Sequence, residues 1–306
     1  MNNTPKITFA SKSSPLIQPS HLLGYGASMN PYVGCGFGCR YCYAMQTVRD
    51  PENPWGGFVK SRDFIDSKLP GELWKLEGRS LLIGTMTDPY QPLELQKRLT
   101  RSALKILKNS AATGIGIFTQ SPHVVLDAEL IAMQANPTVH MTIAPVPDFI
   151  RTQMEPNSAS IRERIAALKM LKTHRIKLDV RLAPVFPTFT SLDNDVRPLY
   201  EELVNVGVDS IGVDPYQPFS ETNRMLLGTT DGLNAVLYKD MVNKMADKNF
   251  RDNWWDQMRE SFKVLWGPYA SSGVYGYFAN HVAYTIENLS TGEVVKLNRK
   301  AVPFER

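Results

Sequence analysis

A chain of 306 residues, 43% hydrophobic and 21% charged, has the composition of a folded globular protein, with enough length for one large domain or two smaller ones. It contains no run of about 18 apolar residues, which argues against a membrane-spanning helix. The formal charge of +4 is dispersed, so it tolerates anionic partners without demanding them, and three cysteines do not make a closed disulfide framework.

Residues 1–28 are polar, lack the apolar core of a signal peptide and read as an extended N-terminal arm of a cytoplasmic protein. A first strand is expected over Asn30 to Val33, just before a stretch, NPYVGCGFGCRYCYA, that holds every cysteine of the chain: Cys35, Cys39 and Cys42. LLIGTMTDP then reads as a strand, followed by a helical pattern from Leu93 to Lys108. GIGIFTQSP precedes a helical stretch from Val124 to Gln134, and TVHMTIAPVP one from Ile161 to Lys172. IKLDVRLAPVFP leads to Asp195–Val206, and VDSIGVDPYQP ends the series. Short apolar runs alternating with helical periodicity argue for a parallel sheet with helical crossovers. Six such units suit an incomplete barrel, although an open doubly wound sheet reads alike. In either, ligands sit beyond the carboxyl ends of the strands. Those ends carry Cys35, the group Thr85, Thr87 and Asp88, the group Thr119, Gln120 and Ser121, and then Thr142, Arg181 and Asp214. DPYQP occurs twice, at Asp88–Pro92 and Asp214–Pro218, as a rigid turn or as two parts of one pocket mouth. From Glu221 the alternation stops and aromatic residues and glycine accumulate. This extension, 221–306, is expected to close the sheet or to shape a substrate site, with its tryptophans buried or serving as stacking platforms.

Structural zinc takes four ligands, and none of His21, His123, His140, His174 and His281 lies close downstream of C-x3-C-x2-C. A distant fourth ligand keeps zinc open. Three thiolates also suit a four-iron–four-sulfur (4Fe–4S) cluster with one iron left for another ligand. Gly34, Gly36 and Gly38 permit close backbone approach, and Phe37 and Tyr41 are placed to shield the group from water.

CGFGCRYC resembles the signature of the radical SAM superfamily. With GTMTDPYQPLE, FTQSP and MEPNSASIRERIAALKML it resembles the branch typified by spore photoproduct lyase, over Met29 to Pro218. The resemblance implies an α/β fold, a partial (β/α)6 TIM-like barrel over 29–220, with the cluster held by Cys35, Cys39 and Cys42 after the first strand. It also implies an oxygen-sensitive enzyme that takes an electron from reduced flavodoxin or ferredoxin. S-adenosylmethionine would be cleaved to methionine and a 5′-deoxyadenosyl radical that abstracts a substrate hydrogen. Thr85, Thr87 and Asp88 then fall at the methionine amino group. Gln120 and Ser121 stand where the branch usually has TKS, and the glutamine in place of lysine removes a cation. Arg181 offers its fork to the methionine carboxylate, or else pairs with Asp179 or another structural acid. Thr142 and Asp214 fall near the ribose and adenine. Tyr41 and Tyr43, which flank Cys42, either pack against cluster and adenine or are structural.

Spore photoproduct lyase repairs a thymine dimer in DNA and returns a hydrogen atom from a further cysteine, which this chain lacks; Tyr90 and Tyr216 are the candidate substitutes. Lyase or related chemistry on a small molecule is the leading reading. DNA repair or another nucleic-acid modification, and cleavage of a different sulfonium bond, stand as alternatives. A purely structural cluster protein would not need the polar strand ends, and a nucleic-acid-binding module would need a basic, aromatic face that only the tail hints at.

Overall fold

The computed structural model describes residues 5–20, 22–228, 232–280 and 285–296. His21, His281 and the last ten residues of the tail lie outside them. Strands β1 (Lys6–Phe9), β5 (Phe58–Ser61) and β4 (Tyr32–Val33) form a small sheet. The large sheet contains β2 (Ile17–Pro19), β3 (Ala27–Met29), β6 (Ser80–Ile83), β7 (Gly114–Thr119), β8 (Thr138–Ile143), β9 (Lys177–Val185), β10 (Ser210–Pro215), β11 (Tyr275–Asn280), β12 (Thr285–Asn288) and β13 (Val294–Lys296). From β3 through β6 to β11 every neighbouring pair is parallel and the spatial order follows the chain. A doubly wound sheet reverses its strand order at a switch point. This one does not.

The first parallel strand is Ala27–Met29 rather than 30–33. The chain leaves the sheet at Asn30, whose side chain accepts from Met86 N–H and donates to Thr85 Oγ1, and Tyr32–Val33 pairs antiparallel with β5 instead. The N-terminal segment is tied down as well. β1 runs parallel to β5, β2 pairs with β3, and the buried Glu72 carboxylate accepts from Leu16 and Ile17 N–H. Nor does the alternation end at Glu221. Helices Ser220–Leu227, Gly232–Ala246 and Lys248–Trp266 return the chain to β11, parallel to β10. Trp254 and Trp266 are buried, Trp266 edge-on to Tyr200.

The helix Ile161–Lys172 matches its sequence pattern and starts on a capping box, Ser160 with Glu163. The expected 93–108 helix is two helices, Glu94–Lys97 and Leu99–Leu107. Arg98 is left-handed between them (φ 54°), and Glu94 folds back to accept from Thr100 and Arg101 N–H. Along the parallel strands one face (Ile115, Ile117, Val139, Met141, Val180, Leu182, Ile211, Val213) is buried in the apolar core. The other, at period two, carries polar groups.

Candidate functional site

The cysteine loop follows β4 and owes its path to glycine. Gly34 has φ +84°, and a Cβ there would lie 2.6 Å from the Phe58 carbonyl oxygen. Gly34→Ala is therefore expected to cost about 1–3 kcal/mol in a denaturant titration and to lower iron uptake of the refolded protein. Neighbouring elements hold the loop. Gly36 N–H donates to Gln91 Oε1 (2.8 Å), Gln91 Nε2 donates to Thr87 Oγ1 (2.9 Å), and Thr87 Oγ1 donates to the Gly34 carbonyl (2.6 Å). On the other side Asn157 Nδ2 donates to the Gly36 carbonyl and Arg40 N–H to the Met154 carbonyl, each at 2.9 Å.

Cys35, Phe37 and Cys39 form a small buried cluster with Tyr41, Cys42 and Trp55 packed on it. No disulfide joins the thiols. Burial pushes the Cys35 thiol up to about 12 and Cys42 up to about 11, and it raises Cys39 too, with neighbouring thiols adding to the shifts at Cys35 and Cys39. Thiols so placed lose their protons readily only to a bound cation.

The turn after β6 is locked from within. Thr85 Oγ1 accepts from Asn30, and the Thr85 carbonyl accepts from the Tyr43 hydroxyl. Asp88 Oδ1 accepts from Tyr90 N–H and Thr119 Oγ1, and Oδ2 from Gln120 N–H, at 2.7–2.8 Å. Burial raises the Asp88 carboxyl to about 6 against the pull of these donors. Gln120 Nε2 reaches Cys39 Sγ at 3.1 Å. Ser121 accepts from His123 N–H and starts the turn Pro122–Asp127.

A buried ion pair braces the loop. Arg164 donates to Glu155, to the Thr142 carbonyl (3.0 Å) and to the Ala159 carbonyl, while Glu155 also accepts from the Tyr41 and Ser158 hydroxyls. Deeper on the polar face a chain of contacts crosses the strands. The nearby Asp179 carboxyl is pushed up by burial but drawn below its usual value by its bond to His140 and by Arg181. His140 Nδ1 lies 2.7 Å from an Asp179 carboxylate oxygen and its Nε2 2.9 Å from the Tyr25 hydroxyl. Tyr277 donates to Asp179 (2.9 Å) and accepts from Arg181 Nη1 (3.0 Å), and Arg181 also grips Asp214 through Nε (3.0 Å) and Nη2. Gly116 and Gly212 leave room for it, since a Cβ at either would lie 2.3 Å from Tyr25 or Tyr277. Tyr277→Phe strands Arg181 and Asp179 donor and acceptor groups in the interior and is expected to cost about 1–3 kcal/mol, read from the urea midpoint.

The strand ends thus bring Thr85, Thr87, Asp88 and Gln120 to the loop of Cys35, Cys39 and Cys42, whereas the Ser121 hydroxyl turns to His123 N–H. Several of these groups are already engaged within the protein. Arg181 lies inside β9 rather than at its end, and its fork is on Asp214, so the structural-acid alternative is the one seen, with Asp214 in place of Asp179. The Tyr90 hydroxyl donates to buried Asp127 (3.1 Å) and the Tyr216 hydroxyl to Asn223 (3.0 Å). Tyr216 also packs on Phe186, which meets Tyr41 edge-on. Sequence reasoning missed Asn30, Gln91, Glu155, Asn157, Arg164, Trp55 and Tyr277. Gln91 and Glu155 lay inside stretches already singled out, DPYQP and MEPNSAS. Tyr277 had no local signal.

The donor set fits a cluster with a polar ligand beside it. Among the described residues no three His, Cys, Asp or Glu side chains converge as ligands of a single metal ion. Thiolates that each bind a different iron have no need to. Thr142 Oγ1, opposite Arg181 in the sheet register, and Gln217 Nε2, of the second DPYQP, are buried with no hydrogen-bond partner among the described residues. Among the described residues no helix is long and apolar enough to cross a membrane.

No protein-family model matches the chain. Among curated proteins it is similar to an uncharacterized protein of Methanocaldococcus jannaschii, 27% identical over 183 residues, 60% of this chain and 69% of that one. It is also similar to an uncharacterized protein of Acidianus two-tailed virus, 26% identical over 226 residues, 64% of this chain and 73% of that one. Among solved structures it superposes on a cysteine-to-serine variant of spore photoproduct lyase with TM-score 0.67 at 14% identity, covering 89% of this chain and 82% of that one. A variant of the same lyase with bound AdoMet and dinucleoside spore photoproduct gives 0.64, also at 14% identity and over the same shares. The chain has the fold of spore photoproduct lyase.

Proposed function

We propose that this protein is a radical SAM enzyme in which Cys35, Cys39 and Cys42 hold a 4Fe–4S cluster with one iron left for S-adenosylmethionine, served by reduced flavodoxin or ferredoxin in the cytoplasm. The observation that carries this reading is the trio of free thiols, Cys35 and Cys39 buried and Cys42 half-buried, in the loop braced by β6 and the 154–157 segment, on a singly wound parallel sheet with that fold. When bound, cluster and S-adenosylmethionine supply reductive cleavage of the sulfonium and hydrogen abstraction from the substrate. The strand order supports a sheet curled as a partial barrel from β3 to β11, with other parts of the 221–306 extension shaping the substrate side.

The protein's own residues place and seal. Phe37, Tyr41 and Trp55 keep water from the sulfurs. Asp88 fixes the third strand end against the second. Thr142 Oγ1 and Gln217 Nε2 are two of the buried polar atoms without a partner among the described residues, and they are free to meet a polar ligand. Tyr277 holds Arg181, which grips Asp214, the more exposed end of that pair. Of the two tyrosines weighed as hydrogen donors, Tyr216 is joined to Tyr41 through Phe186, whereas Tyr90 is committed to Asp127.

A small-molecule substrate suits a chain with no cysteine left to return a hydrogen atom. A nucleic-acid substrate is the second reading, favoured by the dinucleoside bound to the lyase of like fold. The test is 5′-deoxyadenosine formation by reduced, reconstituted protein, with a metabolite extract and with ultraviolet-irradiated DNA in parallel. A rise with metabolites alone supports the first reading. A rise with irradiated DNA and loss of its dimers supports the second. Methylthioadenosine in place of 5′-deoxyadenosine means that another sulfonium bond is cleaved.

A further inference from the structure

The Gln120 side chain has one hydrogen-bond partner among the described residues, and that partner is a cysteine sulfur: Nε2 lies 3.1 Å from Cys39 Sγ. Its backbone is anchored just as tightly. Gln120 N–H donates to Asp88 Oδ2 (2.8 Å), the preceding Thr119 hydroxyl donates to Asp88 Oδ1 (2.7 Å), and Ser121 N–H returns to Thr119 Oγ1 (3.0 Å). The amide is buried at the end of β7, so its orientation is set by the strand and not by solvent. Gln120 thus presents a fixed amide donor to the Cys39 sulfur.

We infer that Gln120 is a positioning residue that sets the reduction potential of the cluster proposed above, by donating its amide to the Cys39 thiolate. The inference rests on that reading. One-electron reduction adds negative charge that is shared with the thiolate sulfurs, and an N–H donor binds the more negative sulfur more strongly. The hydrogen bond therefore favours the reduced state and raises the potential. The donor–acceptor pair spans β7 and the cysteine loop, so it also ties loop position to the strand that carries Asp88's partners.

The experiment is a dye-mediated redox titration, followed by electron paramagnetic resonance, of reconstituted wild type, Gln120→Met and Gln120→Glu without S-adenosylmethionine. Methionine keeps the volume and removes the donor; glutamate puts a negative charge where the donor was. The expected result is a midpoint displaced to lower potential in both, farther for glutamate. In Gln120→Met the ratio of reduced to oxidised cluster at a given potential should fall by up to about tenfold, equivalent to about 59 mV for one electron. Coincident midpoints in proteins with full iron and sulfide content overturn the inference and leave the proposed function standing. Wild type that takes up no cluster overturns both, and the iron analysis tells the two failures apart. Gln120→Leu provides the donor-free comparison if the methionine variant does not fold.

Discussion

Cys39→Ser protein, reconstituted anaerobically with iron and sulfide, is expected to lose its 4Fe–4S absorption and to form 5′-deoxyadenosine more than about a hundredfold more slowly than wild type. Loss of a residue that only supports a metal ligand costs about 10- to 100-fold, so a larger loss marks Cys39 as a ligand itself. The reason lies in the donor chemistry. A serine hydroxyl is a harder donor than a thiol and does not ionise in a site where burial already lifts the thiols. With Cys35 and Cys42 alone, two irons of a cubane would lack protein ligands. The substitution is nearly isosteric and breaks no disulfide, so the circular dichroism spectrum should be unchanged. A Cys39→Ser protein with full iron content would show that the loop does not hold the group in the way described.

Arg164→Met is the substitution with the largest expected effect on stability. Arg164 and Glu155 are both fully buried, and each is the other's charge partner. Removing the guanidinium leaves a carboxylate in the interior, which costs about 3–5 kcal/mol for a buried pair broken on one side. Urea denaturation should show this as a lowered midpoint. Glu155→Gln in the same protein should recover much of it, since the neutral amide still accepts from the Tyr41 hydroxyl through its oxygen and donates to the Ser158 hydroxyl through its nitrogen, without a stranded charge. The effect should also reach the cysteine loop. Met154 and Asn157, on either side of Glu155, hold the backbone at Arg40 and Gly36, so the variant should retain less iron even below its unfolding transition.

Much of this molecule was legible in its sequence because the signals are local. Five of the parallel strands, β6 to β10, show as short apolar runs with one buried face, and the helix Ile161–Lys172 announces its start with Ser160 and Glu163. The cysteine spacing is local too. What stayed hidden depends on contacts between distant segments. Asn30 reads as the start of a strand until its side chain is seen to hold Thr85 and Met86, which pulls the chain out of the sheet. The 93–108 stretch has unbroken helical periodicity, yet Glu94 caps a second helix inside it and Arg98 turns left-handed to allow this. β11 was lost because its aromatic, glycine-bearing sequence resembles a loop, and its place beside β10 is fixed by the interior Tyr277 network.

Position along a strand proved harder to read than residue type. Asp88 and the threonines Thr85 and Thr87 follow the end of β6 as expected, whereas Arg181 sits in the middle of β9. Sequence does not tell which of them a protein spends on itself. Thr87 braces the cysteine loop, Asp88 ties two strands, and Arg181 and Asp214 spend their charges on each other. The repeated DPYQP shows the same limit. Gln91 in the first copy is engaged with Gly36 and Thr87, whereas Gln217 in the second keeps a buried Nε2 without a partner among the described residues. Identical residues in identical local sequence thus take different roles because the facing segment differs.

The central claim is that the three cysteines hold a cluster with one iron open to S-adenosylmethionine. Its most direct test is the electron paramagnetic resonance spectrum of the reduced, reconstituted protein before and after S-adenosylmethionine is added. The account predicts a signal from a reduced 4Fe–4S cluster whose g values change on addition, and no such signal in the Cys39→Ser protein. A wild-type spectrum that S-adenosylmethionine leaves unchanged, or a protein that binds zinc in preference to iron and sulfide, would contradict it.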